Sequence, residues 1–117
     1  MSRLAAVDVG TNSVLLLVAE RGRDGVVRPV REEAEITRLG RGVDRTGTLS
    51  PEGMQATLEV LARFAGMARE SGARALVVTA TSAARDARNG AEFLARARER
   101  TGATVEILSG AEEARLS

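Results

Sequence analysis

With 117 residues, 44% of them apolar and 28% charged, the chain can bury one modest core and makes at most one domain. Its 17 basic residues, all Arg, nearly balance 16 acidic ones, and two Phe stand without Trp or Tyr, so neither a global basic patch nor stacking platforms for nucleic acid are available. The absence of Cys and His removes disulfides, the usual zinc sites and thiol or imidazole catalysis, and no apolar run approaches the roughly 18 residues of a membrane span, so a cytoplasmic location is the default expectation.

Leu4 to Val7 and Val14 to Val18 read as two apolar strands joined by the polar turn Asp8-Val9-Gly10-Thr11-Asn12-Ser13. After a Gly-bearing turn at 20–25, Val26 to Leu39 reads as a long, partly exposed strand, and Pro29, which has no N–H for a ladder, places it at a sheet edge. Residues 40–48 read as a Gly-rich loop. Ser50-Pro51-Glu52 predicts a helix start with Ser50 as N-cap, and Met54, Leu58, Leu61, Ala62, Ala65 and Ala68 keep helical spacing to an end near Gly72. Ala73 to Ala80 reads as a fully buried strand. Asn89-Gly90-Ala91-Glu92 fits a capping box for a helix ending near Gly102, Thr104 to Leu108 is a fifth strand, and Ser109-Gly110-Ala111-Glu112 is a second capping box. Three strands in meander followed by two crossover units predict an α/β fold, a five-stranded mixed sheet with flanking helices.

Three loops carry the chemistry. An apolar strand needs no carboxylate at its end, so Asp8 before a Gly and three hydroxyl or amide side chains suits phosphate bound together with a divalent ion. Gly10 allows a positive φ and close approach of N–H groups to an anion, Thr11 and Ser13 offer hydroxyls, and Asp8 can hold Mg²⁺. An ordinary hairpin turn has the same composition, and at this point the two readings weigh evenly. The second loop, Thr79 to Ala87, opens a short helix at the carboxyl end of a strand, with Thr81 and Ser82 as hydroxyl donors and Arg85 able to fork phosphate oxygens. Its plainer reading is an N-cap with Arg85 paired to a surface carboxylate. In the third, Ser109 to Glu113, Glu112 is committed to capping and Glu113 is the freer carboxylate, able to orient or deprotonate a water; two glutamates favouring a helix start is the plainer alternative.

Four ordered blocks together resemble the N-terminal part of the exopolyphosphatase / guanosine pentaphosphate phosphohydrolase family, a branch of the actin, sugar-kinase and Hsp70 superfamily. They are Ala6 to Ser13, Leu39 to Val43 before Leu49 to Glu52, Ala80 to Ala87, and Leu108 to Leu116. The resemblance implies a ribonuclease H-like lobe over residues 1–117, Mg²⁺ dependence, and stepwise removal of terminal phosphate from inorganic polyphosphate or guanosine pentaphosphate. It puts Asp8 in the metal and first phosphate loop, Gly10, Asn12 and Ser13 on phosphate, Thr81, Ser82 and Arg85 along the phosphate chain, and Glu113 on the attacking water. The family's second phosphate loop, a Gly-rich Asp-x-Gly-Gly-Gly-Ser, has no counterpart in these residues. The chain is therefore expected to be a truncated lobe of a two-lobe enzyme, with apolar surface that favours self-association as a homodimer. Competing readings are a non-catalytic module that binds polyphosphate or an alarmone through the same loops, and an actin-like kinase lobe using ATP. The Glu112-Glu113 pair and the segment Thr81 to Asp86 count against the kinase.

Overall fold

Period-two alternation sets the sheet. Ala5, Val7 and Val9 of β1 (Ser2–Val9) and Val14, Leu16 and Val18 of β2 (Ser13–Arg21) are buried on one face, while Leu4, Ala6, Asp8, Leu15 and Leu17 stand exposed on the other. The structure, a computed structural model, describes residues 2–108. β1 and β2 pair antiparallel, β3 (Val27–Ile36) adds antiparallel beyond β2, β4 (Ala75–Thr81) lies parallel to β1, and β5 (Val105–Leu108) lies parallel to β4. The order β3-β2-β1-β4-β5 is the expected five-stranded mixed sheet, with the Pro29 strand at one edge. Val30 bulges out between the pairs Val18↔Arg31 and Ala19↔Pro29, a break in the ladder beside the residue that cannot donate to it.

Between β3 and β4 run α1 (Val43–Thr46) and α2 (Pro51–Glu70); β4 leads directly into α3 (Ser82–Asp86), and α4 (Gly90–Thr101) precedes β5. Ser50 caps α2 as predicted, its Oγ accepting from Gly53 N at 3.0 Å, with Pro51 in the first turn. Leu58, Leu61 and Phe64 of α2 and Phe93 and Ala97 of α4 join the inward strand residues in one core. Among the described residues, no helix is long and apolar enough to cross a membrane.

Four expectations are corrected. β4 is not fully buried: its inward residues Val78 and Ala80 are, but Val77 is 46% exposed, because among the described residues helices pack on one face of the sheet only. The third strand stops at Ile36 instead of Leu39, because Asn12 O captures both Thr37 N (2.9 Å) and Arg38 N (3.0 Å) and Arg38 turns to φ 55°. Residues 40–48 are not all loop: a single helical turn, α1, sits between Gly42 and Gly47, both left-handed. Asn89 stands at the N-cap position of α4 but caps nothing with its side chain, which instead spans to Leu49. Glu92, the other half of that box, pairs with Arg96 at 2.8 Å.

Candidate functional site

Asp8 belongs to the outward-facing set of β1, one residue before the strand ends, so the alternation that buries Val7 and Val9 presents its carboxylate on the open face. The register extends a row across that face: Leu15 of β2, Asp8 of β1, Thr79 of β4 and Glu106 of β5. Thr79 Oγ1 donates to Asp8 Oδ1 at 3.0 Å, which fixes the carboxylate and leaves Oδ2 without a hydrogen-bond partner among the described residues. Among those residues no three acidic side chains cluster closely enough to hold a metal ion by themselves. Thr79 was absent from the expected site residues. Its signal was a lone hydroxyl within the apolar run Leu76-Val77-Val78, at a position whose register partner could be known only once β1 and β4 were paired.

The turn after β1 differs from expectation at Gly10. Its φ is not positive and its N–H donates to Ser13 O at 2.9 Å, so that group is closing the hairpin and does not face an anion. The N–H groups of Thr11 and Asn12 have no hydrogen-bond partner among the described residues, and both side chains are exposed, with Ser13 half-buried at the start of β2. The carbonyls of the same turn face the other way: Thr11 O accepts from Gly40 N at 2.8 Å, and Asn12 O from Thr37 and Arg38. The turn is thus held from behind by residues 37–40, and with them it frames an open depression of about 400 Å³ lined by Thr11, Asn12, Arg38, Gly40 and Arg41. The two arginines of this depression are also additions to the expected set.

Parallel pairing of β1 with β4 sets Val9 beside Ala80, so the 10–13 turn and the start of α3 emerge at one edge of the sheet. Thr81 and Ser82 are half-buried there, and neither hydroxyl caps the helix or makes another hydrogen bond among the described residues. Arg85 is exposed and its Nε donates to Asp86 Oδ1 at 3.0 Å, the surface pairing weighed above; both side chains are more than half exposed, so the pair is weak and readily exchanged. Leu108 is in register with Thr81 at the same edge. Glu113, with the Ser109 capping box, lies outside the described residues. The arrangement combines one fixed carboxylate, unpaired backbone donors and hydroxyls at the carboxyl ends of two parallel strands, a place where open α/β sheets bind ligands.

The sequence profile of the Ppx/GppA phosphatase family matches residues 17–117. Exopolyphosphatase 2 of Mycobacterium tuberculosis is 40% identical over 125 aligned positions, which take in all of this chain and 39% of the relative. Exopolyphosphatase 1 of Mycobacterium bovis is 36% identical over 115 positions, covering 98% of this chain and 33% of its own. Among solved structures, the Aquifex aeolicus member of the Ppx/GppA family superposes with a TM-score of 0.91 at 33% identity, over 97% of this chain and 37% of that one. The chain therefore spans between 33% and 39% of the length of these relatives.

Proposed function

Because this chain belongs to the Ppx/GppA phosphatase family and carries its ribonuclease H-like lobe, we propose that it is the phosphate-binding part of an exopolyphosphatase, an enzyme that hydrolyses terminal phosphoanhydride bonds of inorganic polyphosphate. The observation that carries this reading is the position of Asp8, fixed by Thr79 beside the 10–13 turn. Thr11, Asn12 and Ser13 supply N–H, amide and hydroxyl donors to the oxygens of the terminal phosphate, and Thr81 and Ser82 contact the chain from the adjoining strand end. Arg85 leaves Asp86 to fork phosphate oxygens. A single carboxylate suits Mg²⁺, which is commonly held by one or two carboxylates with waters and substrate phosphates; bound there by Asp8, it would neutralise charge on the phosphoryl group. Glu113 orients a water and accepts its proton as the water oxygen bonds to the terminal phosphorus and the bridging P–O bond breaks, releasing orthophosphate and a shortened chain.

The test is Mg²⁺-dependent phosphate release from long-chain polyphosphate, with guanosine pentaphosphate alongside and Glu113→Gln as the comparison. Release abolished in the variant supports the assignment, and release that survives it removes Glu113 from the role. A folded chain that binds polyphosphate tightly without hydrolysis, here and when extended to the full length of its relatives, favours the non-catalytic binding module.

A further inference from the structure

The depression beside the 10–13 turn joins two arginines to a turn that carries N–H groups unpaired among the described residues. Arg3, Arg28, Arg31, Arg63, Arg85 and Arg96 each sit within 4.0 Å of a carboxylate. Arg38 and Arg41 pair with no carboxylate among the described side chains, and the depression that they share with Thr11, Asn12 and Gly40 is lined by no acidic residue among those described. Their mounting is rigid. Arg38 N donates to Asn12 O at 3.0 Å, Arg41 N to Arg38 O at 3.1 Å, and Gly40 N to Thr11 O at 2.8 Å. Gly40 lies so close to the turn that a Cβ there would run into the Thr11 side chain. Arg38 itself holds φ 55°, a conformation that Gly or Asn adopts more readily, so the backbone here is shaped by the turn it grips and not by the preference of the residue. Two guanidinium groups with no carboxylate partner among the described side chains, carried on a backbone held against a turn whose Thr11 and Asn12 N–H groups are unpaired among the described residues, make an anion site able to fork phosphate oxygens.

We propose that Arg38 and Arg41 form a second phosphate subsite, which takes the phosphate groups of an inorganic polyphosphate chain behind its reacting end. This rests on the polyphosphate reading above and adds to it the part of the protein that senses chain length. A single phosphate at the 10–13 turn leaves most of the depression unfilled; a longer chain gains both guanidinium contacts, and the gain weakens with salt because the site is open.

The experiment is calorimetric binding of orthophosphate and of long-chain polyphosphate to this chain, for the wild type, for R38Q/R41Q, and for R23Q/R100Q, which removes the same charge elsewhere. The subsite predicts that R38Q/R41Q loses about tenfold in long-chain affinity with a much smaller loss for orthophosphate, while R23Q/R100Q keeps the preference for long chains. An equal loss in R23Q/R100Q, or a long-chain preference that survives R38Q/R41Q, overturns the subsite and leaves the proposed function standing. Binding lost in R38Q/R41Q but retained in Asp8→Asn and Asn12→Ala keeps the subsite and overturns the placement of the reacting phosphate at the turn. A wild type that binds neither ligand overturns both. Should the double variant melt, Arg41→Gln alone carries the test, since its exposed side chain has no partner among the described residues.

Discussion

Thr79 and Asp8 are register partners on neighbouring parallel strands, and their side chains meet on the open face of the sheet through a 3.0 Å hydrogen bond. The bond is exposed, so its loss bears more on the orientation of the carboxylate than on folding. Thr79→Val should shift the melting temperature by no more than about 3 °C, yet weaken Mg²⁺-supported tripolyphosphate binding about fivefold, roughly 1 kcal/mol. Unchanged binding would show that Asp8 needs no positioning by Thr79.

Asn89 couples two distant loops. Its Oδ1 accepts from Leu49 N at 2.8 Å and its Nδ2 donates to Leu49 O at 2.9 Å, so one side chain satisfies both backbone groups of a residue that is 2% exposed. Asn89→Ala strands both and should cost about 2–3 kcal/mol in urea unfolding. Asn89→Asp does not rescue it, because a carboxylate oxygen then faces the Leu49 carbonyl.

Two helical glycines make opposite predictions. Gly90 begins α4 so near the end of α3 that a Cβ would collide with the carbonyl oxygens of Ala84 and Arg85, both backbone atoms that cannot swing aside. Gly90→Ala should destabilise by about 3 kcal/mol by forcing the two helices apart. Gly66, inside α2, has nothing within 4 Å of such a Cβ, and Gly66→Ala should stabilise by about 0.5–1 kcal/mol through helix propensity. Thermal unfolding of the pair checks both signs.

In the turn between β2 and β3, Arg28 Nη2 donates to Asp24 Oδ2 at 3.0 Å and Val26 N to Oδ1 at 3.0 Å, and these bonds, that of Arg28 first, hold the Asp24 carboxyl below its usual 3.8. Because the folded state binds the proton less readily than the unfolded chain, the turn contributes its stability above the ordinary carboxyl range and loses it as pH falls through the lowered folded value. A carboxyl-carbon NMR titration should place the Asp24 midpoint below 3.8 in the wild type and return it toward that value in Arg28→Gln.

The elements and their order were legible in local chemistry: two apolar runs around a polar turn gave β1 and β2, Pro29 put β3 at the edge, and Ser50-Pro51 opened α2, because each of these acts within a few residues of itself. Asp8 and the turn that follows could also be singled out, since a carboxylate closing an apolar strand is informative without any neighbour. What the sequence could not carry were relationships across the chain. Thr79 meets Asp8 from 71 residues away, and Asn89 looks like a cap until Leu49, 40 residues distant, takes its amide. Arg38 and Arg41 look like two of 17 arginines until the Asn12 carbonyl bends the end of β3 and swings them beside the turn. Likewise the run Leu76-Val77-Val78 reads as buried on both sides, because hydropathy records which residues tolerate burial and not how many faces of a sheet find a helix to cover them. Sequence determined the local conformations and the candidate chemistry; pairing register and one-sided packing, which depend on contacts between distant segments, decided which groups converge.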